Sequence, residues 1–490
     1  MEPMKPRLPH FQLPGSLFDQ VAIAAIALFG IGIAGILHNG AQMPLKVTDF
    51  SWEGQKIGVE DKHFTLTFNH PVDAPSIEKQ FTIDPPLLGK ISWQGNHLVY
   101  TLSDTPLYGT NYQIKLDQAT NRGQQGMMKP FNQHFSTHNR ALAYIGITGE
   151  ERGRLVLYDI TNPKQPQKTI LTAKDLLVRN FSIYPQGDKI LFAAQDPNRV
   201  EGPLQLFTVT TGLQNAANQN PNRPGKLESV LANDDYNNLS FDLSRDGRTL
   251  ILLRRHQQNP ADVGLWVKRE GEEARPLGIQ GDNYVVAPNG RSVAVAQRGG
   301  VSLIPLSMEA GPSRFLEGFE RPIAFSQEGQ RLLLSQNNAD YTRSLILREA
   351  DGTVEEIARG VYPILTCQFE PRQEQFLYCL RTDLVRREDG NLHEEPFLSV
   401  ISLESWQDTP LLALPNYRDV QMNISPDGAV LAFDQVATSL AMSPSDVLTP
   451  SRQAITDGRV WMLNIPDGNP LSSAIMPREL TPGFNPQWLP

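Results

Sequence analysis

The side chains that could do chemistry are few in this sequence, and histidine is the most concentrated type. Five of its nine copies fall between residues 44 and 138, namely His63, His70, His97, His134 and His138. His134 and His138 would share one face of a strand, as two ligands of a metal ion could, because side chains alternate with a period of two. A third ligand cannot be placed, so the favoured interpretation is solvated histidines at a sheet edge. We predict no metal site and no bound cofactor.

The sequence contains no G-x-S-x-G nucleophile elbow, no H-E-x-x-H pair and no Walker A loop. Gly30, Gly32 and Gly35 spell the dinucleotide fingerprint G-x-G-x-x-G, but that fingerprint needs a preceding strand and a helix that opens onto solvent. Here it lies inside an uncharged apolar stretch. We therefore predict no catalytic residue and a protein that is not an enzyme.

The two cysteines, Cys367 and Cys379, lie on opposite arms of one predicted hairpin. A two-residue turn at Arg372-Gln373 would pair Cys367 with Tyr378, whereas a one-residue bulge would set it against Cys379. A disulfide and two buried thiols that act as small core residues are both compatible with this spacing.

Composition narrows the class of protein. The 490 residues include 44 lysines and arginines against 53 acidic residues, a net charge of −9 that gives no reason to expect nucleic-acid binding. Hydrophobic residues at 40% and charged residues at 20% are typical of globular proteins, which excludes wholesale disorder. The 37 glycines and 38 prolines predict many turns and hence an all-β fold.

An apolar run without charge, residues 21–37, follows Lys5 and Arg7. Its length approaches what a helix needs to cross the ~30 Å hydrocarbon core. The basic residues before it predict a cytoplasmic tail at 1–16 and one transmembrane signal anchor at 17–38 in a bacterial inner membrane, with the remaining domains in the periplasm. A cleaved signal peptide is the alternative, although its apolar region is usually only about 7–15 residues long.

Residues 44–138 contain short alternating segments separated by turn residues, a spacing that predicts a β-sandwich. Three motifs follow one another there: FNHPVD at 68–73, PPLLGKISWQGNHLVY at 85–100 and PLYGTNYQIKL at 106–116. In these motifs the stretch resembles a bacterial immunoglobulin-like domain of the kind found in surface-layer and cell-wall proteins. The resemblance implies a spacer or an interaction module without chemistry.

From residue 140 onward, an apolar strand, a turn and a second apolar strand recur. The copies lie at 181–194, 241–254, 284–297, 323–336, 367–380 and 422–435. Five of the turns contain a glycine, which accepts the backbone angles of tight turns, and the fifth copy has Gln373 at that position. A third apolar segment and a weaker fourth follow each copy. Each unit therefore predicts one four-stranded blade of a β-propeller.

The two ends of this region complement each other. Residues 141–146 and 153–160 look like the second and third strands of a blade that lacks its first strand, and residues 482–490 look like the missing strand. Joining them would complete a seventh blade and remove the open edges. The sequence therefore predicts a seven-bladed propeller over 140–490 that is closed by the C-terminal strand.

The turn motif, above all NISPDGAVLAFDQ at 423–435, resembles the WD40-like repeats of TolB-type propellers. Such propellers occur in the periplasmic component of the Tol system and in the non-catalytic half of prolyl-oligopeptidase-type enzymes. The resemblance implies the fold much more specifically than the role. TolB itself has a mixed α/β amino-terminal domain, whereas an immunoglobulin-like module and an anchor are predicted here.

Function on a rigid scaffold usually resides in connecting loops. Two long loops, 381–396 and 436–458, would neighbour each other on one propeller face, and we predict that they form a partner-binding edge. The candidate contact residues in the first loop are Arg386, Arg387, Glu388 and Asp389. Tolerated insertions with mobile tips are the alternative.

We therefore expect a non-enzymatic, membrane-anchored scaffold that binds a protein partner in the cell envelope. The alternative is binding or hydrolysis of cell-wall or surface glycans on the propeller face, which would need paired carboxylates and exposed aromatic residues at the central funnel. Asp188, Asp246 and Asp427 stand in the turns, where aspartate is ordinary hairpin chemistry. That placement favours the scaffold.

Overall fold

The structure is a computed structural model whose described residues form two compact units. They are 17–41, 44–59, 61–117, 128–198, 204–213, 223–231, 235–307, 310–361, 363–386, 390–414, 417, 419–440, 443, 445–449, 451–465, 470 and 476–490. Unit 1 comprises Met1–Gly54, Lys62–Ser103 and Asn111–Phe135. Unit 2 comprises Gln55–Asp61, Asp104–Thr110 and Ser136–Pro490.

Unit 1 begins with helix α1 (Leu17–Ala41), in which Val21, Ile26 and Phe29 are exposed. Among the described residues, no helix combines the length and the apolar character needed to cross a membrane. The anchor at 17–38 and the domain boundaries stay predictions.

Two four-stranded sheets follow α1. Their strands are β1 (Val47–Phe50), β2 (Lys56–Ile57), β3 (His63–Phe68), β4 (Phe81–Asp84), β5 (Gly89–Gln94), β6 (His97–Leu102), β7 (Asn111–Leu116) and β8 (Phe131–Thr137), and helix α2 (Ala74–Gln80) precedes β4. One sheet has the order β1-β3-β6-β5, and the other has the order β2-β8-β7-β4, in which β2 is grouped with unit 2.

Aromatic rings form the centre of unit 1. The fully buried ring of Phe64 lies 5.0 Å from Trp52 and 5.2 Å from Tyr100, and Trp52 lies 5.1 Å from Phe135. Rings this large bury much apolar surface in a small volume, which stabilises a unit of about a hundred residues. The immunoglobulin-like assignment stays a prediction.

Unit 2 contains seven four-stranded antiparallel sheets in the part of the chain that the structure describes. We number six of them along the chain and call the one formed by both ends the closing sheet. The closing sheet contains β9 (Ala141–Ile145), β10 (Leu155–Asp159), β11 (Gln167–Ile170) and β36 (Phe484–Trp488). The first sheet contains β12 (Leu177–Ile183), β13 (Lys189–Gln195), β14 (Gln205–Thr210) and β15 (Leu227–Leu231).

The remaining sheets repeat the same order along the chain. The second contains β16 (Tyr236–Leu243), β17 (Thr249–His256), β18 (Val263–Arg269) and β19 (Arg275–Pro276), and the third β20 (Tyr284–Val286), β21 (Ser292–Gln297), β22 (Gly300–Pro305) and β23 (Arg314–Glu317). The fourth contains β24 (Arg321–Phe325), β25 (Arg331–Asn337), β26 (Arg343–Glu349) and β27 (Val354–Gly360). The fifth contains β28 (Ile364–Phe369), β29 (Phe376–Arg386), β30 (Leu392–Ser402) and β31 (Asp408–Ala413), and the sixth β32 (Met422–Ile424), β33 (Val430–Ser439), β34 (Ala454–Asn464) and β35 (Arg478–Pro482).

Strand β36 pairs antiparallel with β9, as the sequence predicts for the C-terminal segment. Phe484 lies opposite Ile145 and Trp488 opposite Leu142, with a bulge between them. All five residues of β9 are buried because the first sheet covers one face of the strand and the sixth sheet covers the other, while β36 and β10 pair with its two edges. The sheet therefore has no exposed edge at β9.

Apolar clusters fill the space between neighbouring sheets. One cluster joins the closing and first sheets and includes Phe181 and Phe484, and another joins the sixth and closing sheets and includes Met462 and Trp488. Five further clusters occupy the successive pairs from the first sheet to the sixth. Repeated four-stranded sheets that pack face to face in this way define a β-propeller.

Side chains on the first strands of the sheets also connect neighbouring sheets through hydrogen bonds. Gln487 donates to the carbonyl of Phe181 at 2.8 Å, and Gln368 donates to the carbonyl of Met422 at 2.9 Å. Asn423 accepts the backbone N–H of Trp488 at 2.7 Å. These bonds satisfy backbone groups at the inner edges, which would otherwise be buried without partners.

The turns between the first and second strands of the sheets confirm that glycine occupies the left-handed position. In one turn, that of the fifth sheet, the left-handed position is not the residue that the sequence predicted. Gly428 has φ of 66°, and a Cβ there would lie 2.7 Å from Glu370 Oε1, so only glycine fits without displacement. In the fifth sheet the left-handed residue is Glu374, with φ of 53°, and not Gln373 as the sequence alignment implied. The turn there is one residue longer, because Glu370 N bonds to Phe376 O whereas Ser425 N bonds to Val430 O.

Replacing the buried ring at the closing strand tests whether β36 stabilises unit 2. Phe484 is 1% exposed, and we expect Phe484→Ala to lower the free energy of unfolding by about 3–5 kcal/mol. Phe315→Ala is the matched control, because Phe315 is 52% exposed on β23 and its loss should cost about 0.5 kcal/mol. Urea denaturation followed by tryptophan fluorescence measures both. Equal losses in the two variants would contradict a stabilising role of β36.

Candidate functional site

Strands of the fifth and sixth sheets extend into both predicted loops. Strands β29 and β30 remain paired out to Arg386 and Leu392, so the segment predicted as the loop 381–396 is mostly strand. Strands β33 and β34 remain paired out to Ser439 and Ala454. Both hairpins join the second and third strands of their sheets, so they emerge on the same side of unit 2, which we call the hairpin face. The Asp-Gly and Asn-Gly turns emerge on the other side, the turn face.

Of the four predicted contact residues, Arg386 is the one that belongs to the described part of the chain. Arg386 is the last residue of β29 and is exposed. Arg387, Glu388 and Asp389 lie outside the described residues. The apolar side chains of Val385 and Leu392 are exposed beside Arg386, which sequence reasoning did not single out.

The connection in the sixth-sheet hairpin returns to the apolar core. Val447 is fully buried in the cluster between the closing and first sheets, and its carbonyl accepts the backbone N–H of Ile455 at 2.8 Å. Arg179 of β12 donates to the carbonyl of Asp446 at 2.8 Å. Desolvation lowers the pKa of Arg179 to about 10, although the nearby Asp446 carboxylate opposes that shift. This part of the segment is therefore held in place, and Leu440 is its exposed apolar residue.

The turn face is occupied at two sheets by a segment of unit 2 itself. Asp427 accepts the backbone N–H of Tyr108 at 3.0 Å and forms an ion pair with Arg140. Arg372, at the equivalent turn position of the fifth sheet, forms an ion pair with Asp104. Asp427 also caps its own turn through Ser425, so its role exceeds the ordinary hairpin chemistry expected from the sequence.

Desolvation raises the pKa of three carboxylates among the described residues, namely Glu370, Asp242 and Asp434, and the shifts of Asp242 and Asp434 are large. Asp434 is 1% exposed, and desolvation raises its pKa to about 7, against backbone N–H donors that lower it. Its Oδ1 accepts the N–H of Gln421 at 2.8 Å and its Oδ2 accepts that of Asn485 at 2.6 Å. Desolvation likewise raises the pKa of Asp242 to about 6, and this carboxylate accepts the N–H of Val286 at 2.8 Å. Both groups connect neighbouring strands, and repulsion by the nearby Asp419 carboxylate adds to the raised pKa of Asp434.

Among the residues that the structure describes, no three histidine, cysteine or acidic side chains lie close enough together to hold a metal ion. His138 follows the end of β8, and its Nδ1 lies 2.9 Å from the carbonyl oxygen of Pro490. His97 Nδ1 lies 3.0 Å from the Thr67 hydroxyl. These two histidines are therefore partners in structural hydrogen bonds.

The cysteines face each other across the fifth-sheet hairpin. Cys367 lies opposite Cys379. The spacing in the sequence required one extra residue in the hairpin for this pairing, and the longer turn at Glu374 provides that residue. The structure joins the two sulfurs in a disulfide within the buried cluster between the fourth and fifth sheets. The oxidation state in the cell stays a prediction.

A residue that sequence reasoning missed also lies on the hairpin face. Tyr341, between β25 and β26, is 90% exposed and has φ of 65°. The signal available in the sequence was an aromatic residue in the short polar stretch NNADYT, where a hairpin usually has glycine.

Comparison with protein-family models and with curated protein sequences finds no match. Among solved structures, the chain is similar to TolB from Acinetobacter baumannii at 12% identity, with 68% of this chain and 80% of TolB covered and a TM-score of 0.38. It is also similar to an oligogalacturonate lyase from Vibrio parahaemolyticus at 10% identity, with 69% and 96% covered and a TM-score of 0.41. Similarities of this size decide neither an enzymatic nor a non-enzymatic role. The β-propeller assignment rests on the strand order of unit 2.

The raised pKa of Asp434 predicts a pH-dependent stability. The folded pKa of about 7 lies above the unfolded value near 3.9, so the folded state binds the proton more tightly. The stability that this group contributes is complete below about pH 4 and is lost as the pH rises through 7, with a slope of at most about 1.4 kcal/mol per pH unit. We expect Asp434→Asn to reduce the decline in stability between about pH 5 and pH 8.

Urea denaturation at several pH values measures that slope. The matched control is Asp246→Asn, because Asp246 is exposed in a turn and should leave the slope unchanged. Asp434→Asn should also lower overall stability by about 1–3 kcal/mol, since its amide nitrogen cannot accept one of the two backbone N–H groups. An undiminished slope in Asp434→Asn would contradict the assignment.

Thiol labelling tests the cysteine pair. We expect the denatured protein to incorporate no alkylating reagent before reduction and two equivalents after it, as read by intact mass. A disulfide that closes a hairpin with a sequence separation of 12 should stabilise the fold by about 3 kcal/mol through the restricted unfolded chain. Reduced protein should therefore unfold at lower urea concentration. Two labels without reductant would contradict the disulfide.

Proposed function

We propose that this chain is a non-enzymatic scaffold of the cell envelope that binds a protein partner through the hairpin face of its propeller. The single observation that supports the proposal most is the fifth-sheet hairpin. Each of its strands has 11 residues, and near its tip Val385 and Leu392 are exposed beside Arg386. Leu392 lies opposite Arg386 and shares its face of the hairpin, and an apolar side chain beside an arginine on an exposed strand is typical of a protein interface.

The occupied turn face supports the same choice of surface. Tyr108 and Asp104 already use the turn residues Asp427 and Arg372, so the fifth and sixth sheets have bonded partners on that side. Their hairpin face carries the exposed side chains instead. A partner that approaches these two sheets therefore meets the extended hairpins first.

The proposal includes the wider architecture. We propose that the seven sheets are the seven blades of one ring closed by β36, that residues 44–138 are an immunoglobulin-like domain, and that residues 17–38 anchor the chain in the inner membrane with the later domains in the periplasm. Support comes from the apolar cluster at each sheet pair, including the sixth and closing sheets, and from the basic residues before the apolar run 21–37.

Glycan binding or hydrolysis is the weaker alternative. It requires paired carboxylates in an accessible funnel, at separations that allow acid–base chemistry. Asp242 and Asp434 use their oxygens on backbone N–H groups of neighbouring strands. They therefore have structural roles, and no observation favours the glycan alternative over the scaffold.

Shortening the fifth-sheet hairpin tests the scaffold proposal. Asp383 and Glu395 are paired in register, so residues 384–394 can be replaced by an Asn-Gly turn without disturbing the sheet below. We expect the shortened full-length protein to fold with unchanged urea midpoint and to lose the partner that chemical cross-linking identifies for the wild type in intact membranes. The matched control removes residues 214–222, which lie in sequence between β14 and β15 of the first sheet, and should retain that partner. A shortened protein that still recovers the partner in wild-type yield would contradict the proposal.

A further inference from the structure

Tyr341 is presented on the hairpin face in a conformation that tyrosine rarely adopts. It lies in the connection between β25 and β26, where Asn338 N donates to Thr342 O at 2.8 Å and Tyr341 N donates to Asn338 O at 3.1 Å. This is a three-residue hairpin loop whose left-handed position usually has glycine. Tyr341 occupies that position with φ of 65°, and a bulky side chain there is strained.

The strain has no compensating contact from the tyrosine ring, since the side chain is 90% exposed. Other groups hold the turn. Asp340 accepts hydrogen bonds from the Thr342 hydroxyl at 2.6 Å and from Arg359 at 2.9 Å, and Asn338 donates to the Thr342 and Ser344 hydroxyls at 2.9 and 2.8 Å. These hydrogen bonds hold the backbone of the turn without the tyrosine, so Tyr341 is presented to solvent from a defined position. Strain of this kind, without a structural benefit, indicates a functional constraint.

The surface around Tyr341 continues to the fifth-sheet hairpin. Arg343 pairs with Gly360, and the guanidinium of Arg381 lies 3.3 Å from the position that a Cβ of Gly360 would take. Val361, the next residue, is 61% exposed. Val361 therefore lies exposed between the Tyr341 turn and the fifth sheet, whereas the Arg381 side chain beside it is largely buried and forms an ion pair with Asp408.

We propose that Tyr341 is the anchor residue through which the hairpin face binds its protein partner, and this inference rests on the proposed function. The partner offers an apolar pocket that accepts the ring. Tyrosine and arginine are among the residue types that contribute most to protein interfaces, and a tyrosine ring loses little conformational entropy on binding because it has only two side-chain torsions. The polar side chains of the turn are bonded to one another, so the ring of Tyr341 and its hydroxyl are the groups that the turn offers, as an aromatic anchor of a protein interface does.

A photoreactive residue identifies the partner. The full-length chain carries p-benzoylphenylalanine in place of Tyr341 and is irradiated in intact membranes, and cross-linked peptides are identified by mass spectrometry. The matched control carries the same residue in place of Phe315, which is 52% exposed on another sheet. We expect one protein to be cross-linked from position 341 and not from position 315. Cross-linking to glycan strands, or no cross-link at 341, would overturn the proposal.

The affinity of the identified protein is then measured by calorimetry with purified variants. We expect Tyr341→Gly to weaken binding by about 30-fold or more, as loss of an anchor does, and Tyr341→Phe to keep it within about fivefold, because the ring is retained. The urea midpoint of Tyr341→Gly should equal or exceed that of the wild type, since glycine accepts the left-handed conformation. A lowered midpoint would show that tyrosine has a structural role, and wild-type affinity in Tyr341→Gly would exclude an anchor.

These measurements separate the inference from the function on which it rests. Binding that is lost on shortening the fifth-sheet hairpin but kept in Tyr341→Gly would overturn the anchor and leave the scaffold proposal intact. Binding that survives both changes would overturn both.

Discussion

The pairing of β36 with β9 is the interaction on which unit 2 depends. A four-stranded sheet has two apolar faces and two unpaired edges, and each of the first six sheets covers its faces with its neighbours. The closing sheet has strands from both ends of the region, so it covers the remaining faces of the first and sixth sheets only when β36 is in place. Phe484 and Trp488 then fill the clusters on either side.

Polar side chains where β36 meets the sixth sheet accept hydrogen bonds from backbone N–H groups. The carboxylate of Asp434 accepts N–H groups from Gln421 and Asn485, and the side chain of Asn423 accepts the N–H of Trp488. A strand held by side chains of the neighbouring sheet cannot slip by one residue without leaving these acceptors unpaired. The hydrogen bonds therefore define the register of β36 more strictly than the apolar contacts alone would. The burial of Asp434 at this position also raises the pKa of its carboxylate.

Local signals in the sequence were sufficient for the repeating hairpins, because a glycine in a turn between apolar runs imposes its geometry over a few residues. They were insufficient where distant residues decide the structure. The charged segment around Arg386 was predicted as a loop, yet cross-strand pairing extends both strands through it. The burial of Asp434 depends on Asn485, 51 positions away, and the return of Val447 to the core depends on the closing and first sheets. The placement of Tyr341 was missed because nothing in its own neighbourhood requires a left-handed tyrosine.

The closing strand also has a consequence for the order of events during biosynthesis. Phe484 follows its partner Ile145 by 339 positions, so β9 leaves the ribosome long before β36 exists. Throughout that interval one edge of β9 and the apolar faces beside it have no native cover, which is the condition under which chaperones bind and newly made β-strands associate with one another. Assembly of unit 2 is therefore completed only after β36 has been synthesised and pairs with a strand made 339 positions earlier.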